Sequence, residues 1–182
     1  MSKARDLANA GTALATVDAT ELGYLDGVTS AVQTQINTKA ASASPTLTTP
    51  VIISPEERMT VSATAATGTV NFDASTQGVL YYTTNASANW TLNVRGTSGA
   101  TLSSILAVGD AITVSFLVTN GSTAYYQTAF NIDGSVVTPK YSGGTAPASG
   151  NASAIDVYTY TIVKTAATPT YTVFGAGPIK YS

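Results

Sequence analysis

From residue 59 to its end the chain is a succession of short β-type runs separated by turn signals, and no stretch between them reads as a crossover helix. The clearest run alternates Ile112, Val114, Phe116 and Val118 with Thr113, Ser115, Leu117 and Thr119, a period of two that lays one set on each face of a sheet. Asn120-Gly121 follows, the pair preferred where both turn residues take positive φ. The expectation is therefore a hairpin with residues 125–132 as the return strand, ended by Asp133-Gly134. Met59-Thr60-Val61-Ser62-Ala63 and Thr69-Val70-Asn71-Phe72-Asp73 alternate too. Val79-Leu80-Tyr81-Tyr82-Thr83 and Trp90-Thr91-Leu92-Asn93-Val94 are rich in the β-branched and aromatic residues that fit a pleated surface. Beyond a Gly, Pro and Ser-rich loop over 142–153, residues 155–163 turn Tyr158, Tyr160 and Ile162 to one side. Tyr171-Thr172-Val173-Phe174 is the last full strand, with Pro178-Ile179-Lys180-Tyr181 ending the chain against the sheet. About eight short strands predict a mainly β chain whose head, 59–182, is an antiparallel β-sandwich or jelly roll. The want of crossover helices excludes a parallel α/β architecture.

Composition agrees with β-structure carrying neutral surfaces. Of 182 residues 44% are hydrophobic and only 10% charged, against roughly 25% charged in an ordinary soluble domain; Thr, Ser, Ala, Asn and Gly take the place of charge. The net charge is −2, and the eight basic residues are scattered from Lys3 to Lys180, so no basic stripe exists to bind nucleic acid. So small a net charge protects a monomer poorly against association.

The first fifty-eight residues read differently. Residues 1–17 contain too little apolar surface for a core and look like a tether. Their opening, Met1-Ser2-Lys3-Ala4-Arg5-Asp6, has no apolar signal region, and nothing in the chain approaches ~18 consecutive apolar residues, so the expectation is assembly in a cytoplasm without membrane insertion. Asp18-Ala19-Thr20-Glu21 fits a capping box, predicting a helical turn through Leu22 and Leu25 that Asp26-Gly27 ends. A second helix, about 30–39, would carry Val28, Val32 and Ile36 as one narrow apolar stripe. A helix that short is marginal in water alone and must pack on copies of itself or on the β-domain. Pro45, Pro50 and Pro55 then make an extended connector, in which Val51-Ile52-Ile53 suits a strand added within or between chains. The segment 18–58 is thus read as a short coiled-coil-like stalk and connector.

Chemistry is mostly excluded. With no histidine and no cysteine, the Ser-His-Asp triad, thiolate nucleophiles and the usual metal ligands are all missing, and no cofactor is expected. Ten carboxylates remain, and Asp18, Glu21, Asp26, Asp110 and Asp133 fall at predicted caps or turns where they have structural work. Glu56-Glu57-Arg58 reads as a solvated turn. Ten Tyr against four Phe put many polar-tipped rings on half-buried faces, and Tyr82, Tyr126 and Tyr141 are the candidates for contact with a receptor, a glycan or a partner.

The run Ala19-Thr20-Glu21-Leu22-Gly23-Tyr24-Leu25-Asp26-Gly27-Val28-Thr29-Ser30-Ala31-Val32-Gln33-Thr34-Gln35-Ile36 resembles a segment recurring in bacteriophage tail fibres, where it looks like a short trimerising helix ahead of β-domains. Asn71-Phe72-Asp73, Val79-Leu80-Tyr81-Tyr82, Trp90-Thr91-Leu92-Asn93-Val94-Arg95-Gly96 and Ile155-Asp156-Val157-Tyr158-Thr159-Tyr160-Thr161-Ile162 are similar to a head domain of structural proteins from marine phages, cyanophages included. The resemblance implies a non-enzymatic virion component: a homotrimer joined along Leu22, Leu25, Val28, Val32 and Ile36, docked on other virion proteins by its N-terminal segment. A host cell-surface glycan is a further candidate partner. The chain is short and has no shaft of repeats, which favours a short fibre, an adaptor, or a head or neck decoration. No catalytic residue comes with the resemblance.

Overall fold

The computed structural model of the protein describes Lys3, Ala4, Thr20, Tyr24 and residues 51–182. The chain divides into two units, Met1–Ser54 and Pro55–Ser182. In the first, the Tyr24 N–H donates to the Thr20 carbonyl at 3.2 Å, the i to i−4 bond of a helical turn. The expected seam residues Leu22, Leu25, Val28, Val32 and Ile36 lie outside the described residues, as do the capping box at Asp18 and Glu21 and the second helix. Val51, Ile52 and Ile53 join no strand and are exposed.

The second unit is mainly β. Its strands are β1 (Met59–Ala65), β2 (Gly68–Asp73), β3 (Val79–Thr84), β4 (Trp90–Arg95), β5 (Ala111–Asn120), β6 (Gln127–Ile132), β7 (Ser135–Val136), β8 (Lys140–Tyr141), β9 (Ala154–Ala166) and β10 (Thr170–Tyr181). One helix, α1 (Leu102–Ile105), lies between β4 and β5. All the expected strands form, and the last runs on to Tyr181 as the partner of β9.

Their arrangement differs from the antiparallel sandwich or jelly roll that the sequence predicts. A six-stranded sheet has the order β1-β3-β5-β9-β10-β8, and a four-stranded sheet the order β2-β4-β6-β7. Successive strands β1 to β6 alternate between the two, so β1, β3 and β5 are parallel neighbours in one sheet and β2, β4 and β6 in the other. Both sheets are mixed, because β9 runs antiparallel to β5 and β10 to β9 in the larger one, and β7 runs antiparallel to β6 in the smaller. A parallel pair needs a return path, for which a helix is the usual means. Here the return path is a strand of the opposite sheet, so the chain coils through both sheets, and the inner sides of β2 to β6 are buried between them.

The hairpin expected at Asn120-Gly121 is corrected by the same topology. β5 and β6 belong to different sheets, and β5 pairs with β3 and β9 instead. Neither Asn120 nor Gly121 takes positive φ. The turn of that chemistry is Asp133-Gly134, at φ 51° and 81°, which joins β6 to the short β7. Asn120 acts through its side chain: its Nδ2 donates to the Tyr125 carbonyl at 3.0 Å and to Asp156 Oδ2 at 3.1 Å, pinning the corner between the sheets.

The core lies between the sheets. Phe72, Trp90, Leu92, Val94, Phe130 and Ile132 face Leu80, Val114, Phe116, Val118, Tyr158, Tyr160 and Ile162. Trp90 stands edge-on to Phe116 and Tyr158, with ring centroids 6.0 and 5.9 Å apart, and Phe130 packs at 4.4 Å on Tyr160. Such pairs contribute about 0.5–1.5 kcal/mol each beyond their buried area. α1 is too short to stand alone, and both sheets hold its ends. Asp133 Oδ1 accepts from the Leu102 N–H at 2.7 Å, while the buried Lys164 Nζ donates to the Ser103 and Leu106 carbonyls at 2.8 Å each.

Candidate functional site

The three candidate tyrosines stand in different surroundings. Tyr82 is half-buried, its ring edge-on to Phe116 with centroids 5.3 Å apart, and burial raises its hydroxyl pKa. Tyr126 precedes β6; its N–H donates to Asn89 Oδ1 at 3.0 Å and its carbonyl accepts from the Trp90 N–H at 3.3 Å. Tyr141, on the edge strand β8, sets its hydroxyl 3.4 Å from that of Tyr160 and lines a cleft of about 190 Å³ with Gln127, Thr128, Val137, Pro139 and Pro147. Burial pushes the Tyr158 and Tyr160 hydroxyls far above the phenol range, and the neighbouring Tyr141 raises both further. Of the three candidates, Tyr141 alone lines this cleft.

Four aspartates of the head are engaged in structure. Asp73 pairs with Arg95 Nε at 2.6 Å, Asp110 Oδ2 accepts from the Ala107 N–H at 2.8 Å, and Asp133 caps α1. Asp156, fully buried, accepts from Asn120 Nδ2, from the Asn151 N–H at 2.9 Å and from Asn151 Nδ2 at 2.7 Å. It thereby ties the loop after β8 to β9. Glu56 and Glu57 are exposed. Among the described residues no group of three His, Cys, Asp or Glu could hold a metal ion. No helix among them is long and apolar enough to cross a membrane, which says nothing of membrane β-barrels.

The sequence reading did not single out the buried Asp156 and Lys164, although the signal was available. They share the even-numbered positions of Tyr158, Tyr160 and Ile162 in β9, so the alternation that buries the tyrosines buries these charges too. Also unforeseen is the asparagine ladder Asn71, Asn93 and Asn131, in register on three parallel strands, in which Asn93 Nδ2 donates to Asn71 Oδ1 at 2.8 Å. It lies outward on the four-stranded sheet, beside the Asp73–Arg95 pair.

The fold and these residues define a class, a two-sheet β-coil closed by a long β9–β10 hairpin, with Asp73, Asp110, Asp133 and Asp156 committed to structural bonds. Comparison with protein-family models, with curated proteins and with solved structures gave no match for this chain.

Proposed function

We propose that the chain is a structural component of a tailed-phage virion, a short trimeric fibre-like appendage in which an N-terminal stalk joins three copies and the β-head projects. The observation that supports this reading is the run 19–36, with its resemblance to a fibre trimerising segment, placed ahead of a β-head whose aspartates are bonded into the fold. On this reading Val28, Val32 and Ile36, with Leu22 and Leu25, form the seam. Immunogold labelling of intact particles tests the location: label at a tail or neck supports an appendage, label over the capsid supports a decoration, and unlabelled particles overturn both. Val32→Asp is expected to lower the mass of the full chain in light scattering, and a wild-type chain that is monomeric at micromolar concentration overturns the trimer.

A second reading, a glycan- or receptor-binding module, draws on the Tyr141 cleft, where an aromatic ring lies among Thr, Gln and Pro side chains. Labelled full-length protein should then bind host cells and be displaced by their surface polysaccharide. Failure to bind host envelopes retires it.

A further inference from the structure

The two outer faces of the head have opposite chemistry. The four-stranded sheet turns the asparagine ladder and the Asp73–Arg95 pair outward. On the six-stranded sheet the outward register places Val61, Tyr81, Leu117, Val157 and Ile179 side by side, an unbroken apolar row across β1, β3, β5, β9 and β10. Met59, Phe174 and Tyr181 extend it above and below, and Met59, Val61, Phe174, Ile179 and Tyr181 are 47–61% exposed. No charged residue faces outward on these five strands. Asp156, Lys164 and Lys180 take the opposite register, and the charges bordering the face are Lys140 on the two-residue edge strand β8 and the exposed Glu56, Glu57 and Arg58 just before β1.

The polar atoms on this face are partly matched to one another already. Thr113 Oγ1 lies 3.1 Å from Thr161 Oγ1, and Ser115 Oγ 3.2 Å from Thr159 Oγ1. Hydroxyls bonded within the face lose little when water is removed from it. Five strands about 4.8 Å apart, with outward positions about 6.8 Å apart along each, give roughly 600 Å² of flat sheet before side-chain relief, the order of the ~800 Å² that each partner contributes to a stable interface. A charge-free surface matches a surface of its own kind, since neither side must bury an unpaired ion.

We propose that the outer face of the six-stranded sheet is the contact by which the heads of separate copies of this chain pack on one another. The inference rests on the multimeric reading above and gives that assembly a second contact besides the stalk. Because the chain has no cysteine, single cysteines report cleanly. Full-length protein with Thr159→Cys, at the centre of the face, should be joined into covalent dimers by a short bis-maleimide, while Thr69→Cys, outward on the four-stranded sheet, stays monomeric on a denaturing gel. Leu117→Lys should raise by about tenfold or more the concentration at which monomers appear in light scattering, with unchanged far-UV circular dichroism showing that the fold is kept. Absence of the Thr159→Cys cross-link overturns the proposal, including the case in which another virion protein or the chain's own N-terminal segment covers the face. So does a folded Leu117→Lys protein of undiminished association. Particle labelling fails or succeeds independently of the cross-link: unlabelled particles with a positive cross-link sink the virion reading alone, and labelled particles without one sink the face.

Discussion

Asp156 and Lys164 illustrate what a buried charge requires in a chain with few charges. Each replaces its lost water with charge-assisted hydrogen bonds, the carboxylate with three donors and the ammonium with two carbonyls. Asp156→Ala would leave the Asn120 and Asn151 donors unmatched, and a loss of about 2–4 kcal/mol is expected, read as a lower urea midpoint. Gly175 sits under two rings. A methyl group there would meet Tyr141 Cε1 at 2.7 Å and Tyr160 Cε1 at 2.8 Å. Gly175→Ala should cost about 1–3 kcal/mol by overpacking. Trimming the half-buried Tyr141 to Leu in the same chain should recover part of it, because Tyr141 is the neighbour with room to give. Nothing in the sequence near Gly175 announced this constraint, since β10 and β8 meet only through tertiary pairing.

At the scale of elements, local pattern and long-range pairing part company. Residues 112–119 read as a strand, and β5 is one, because alternation depends only on which side each residue turns. Its partners depended on where the chain went next. Asn120-Gly121 carried the right residues for a tight turn but lies at a corner between sheets, where the Asn side chain is engaged by Asp156 and Tyr125. Asp133-Gly134 makes the tight turn, and there the residues are needed: Gly134→Ala, at φ 81°, should destabilise by about 1 kcal/mol in thermal unfolding. α1 is a four-residue helix without a helical sequence pattern, existing because Thr101, Asp133 and Lys164 satisfy its ends.

For the whole molecule, the tyrosine-rich core sets the response to pH. Tyr158 and Tyr160 are charged only when deprotonated, and burial penalises that form, so their folded pKa values lie above the ordinary 10.0. Their contribution to stability is fully present below pH 10.0, where both states hold the proton. It is lost as pH rises beyond that value towards the raised folded pKa values, because the unfolded chain gives up its protons first. Denaturant midpoints should therefore fall steeply above about pH 10, and Tyr160→Phe should soften the fall; an unchanged slope would show that Tyr160 does not drive it. Residue type and a period of two were enough to read β1 to β6, β9 and β10, the sides their residues turn inward or outward, and the lack of the usual histidine and cysteine chemistry, but not the two-residue strands β7 and β8. Which strands are neighbours was settled by folding in three dimensions, and with that the coil through two sheets, the bonds that hold the buried Asp156 and Lys164, and the apolar row from Val61 to Ile179. Pairing is a choice among strands that look alike locally, made by the burial and hydrogen bonding of the chain as a whole.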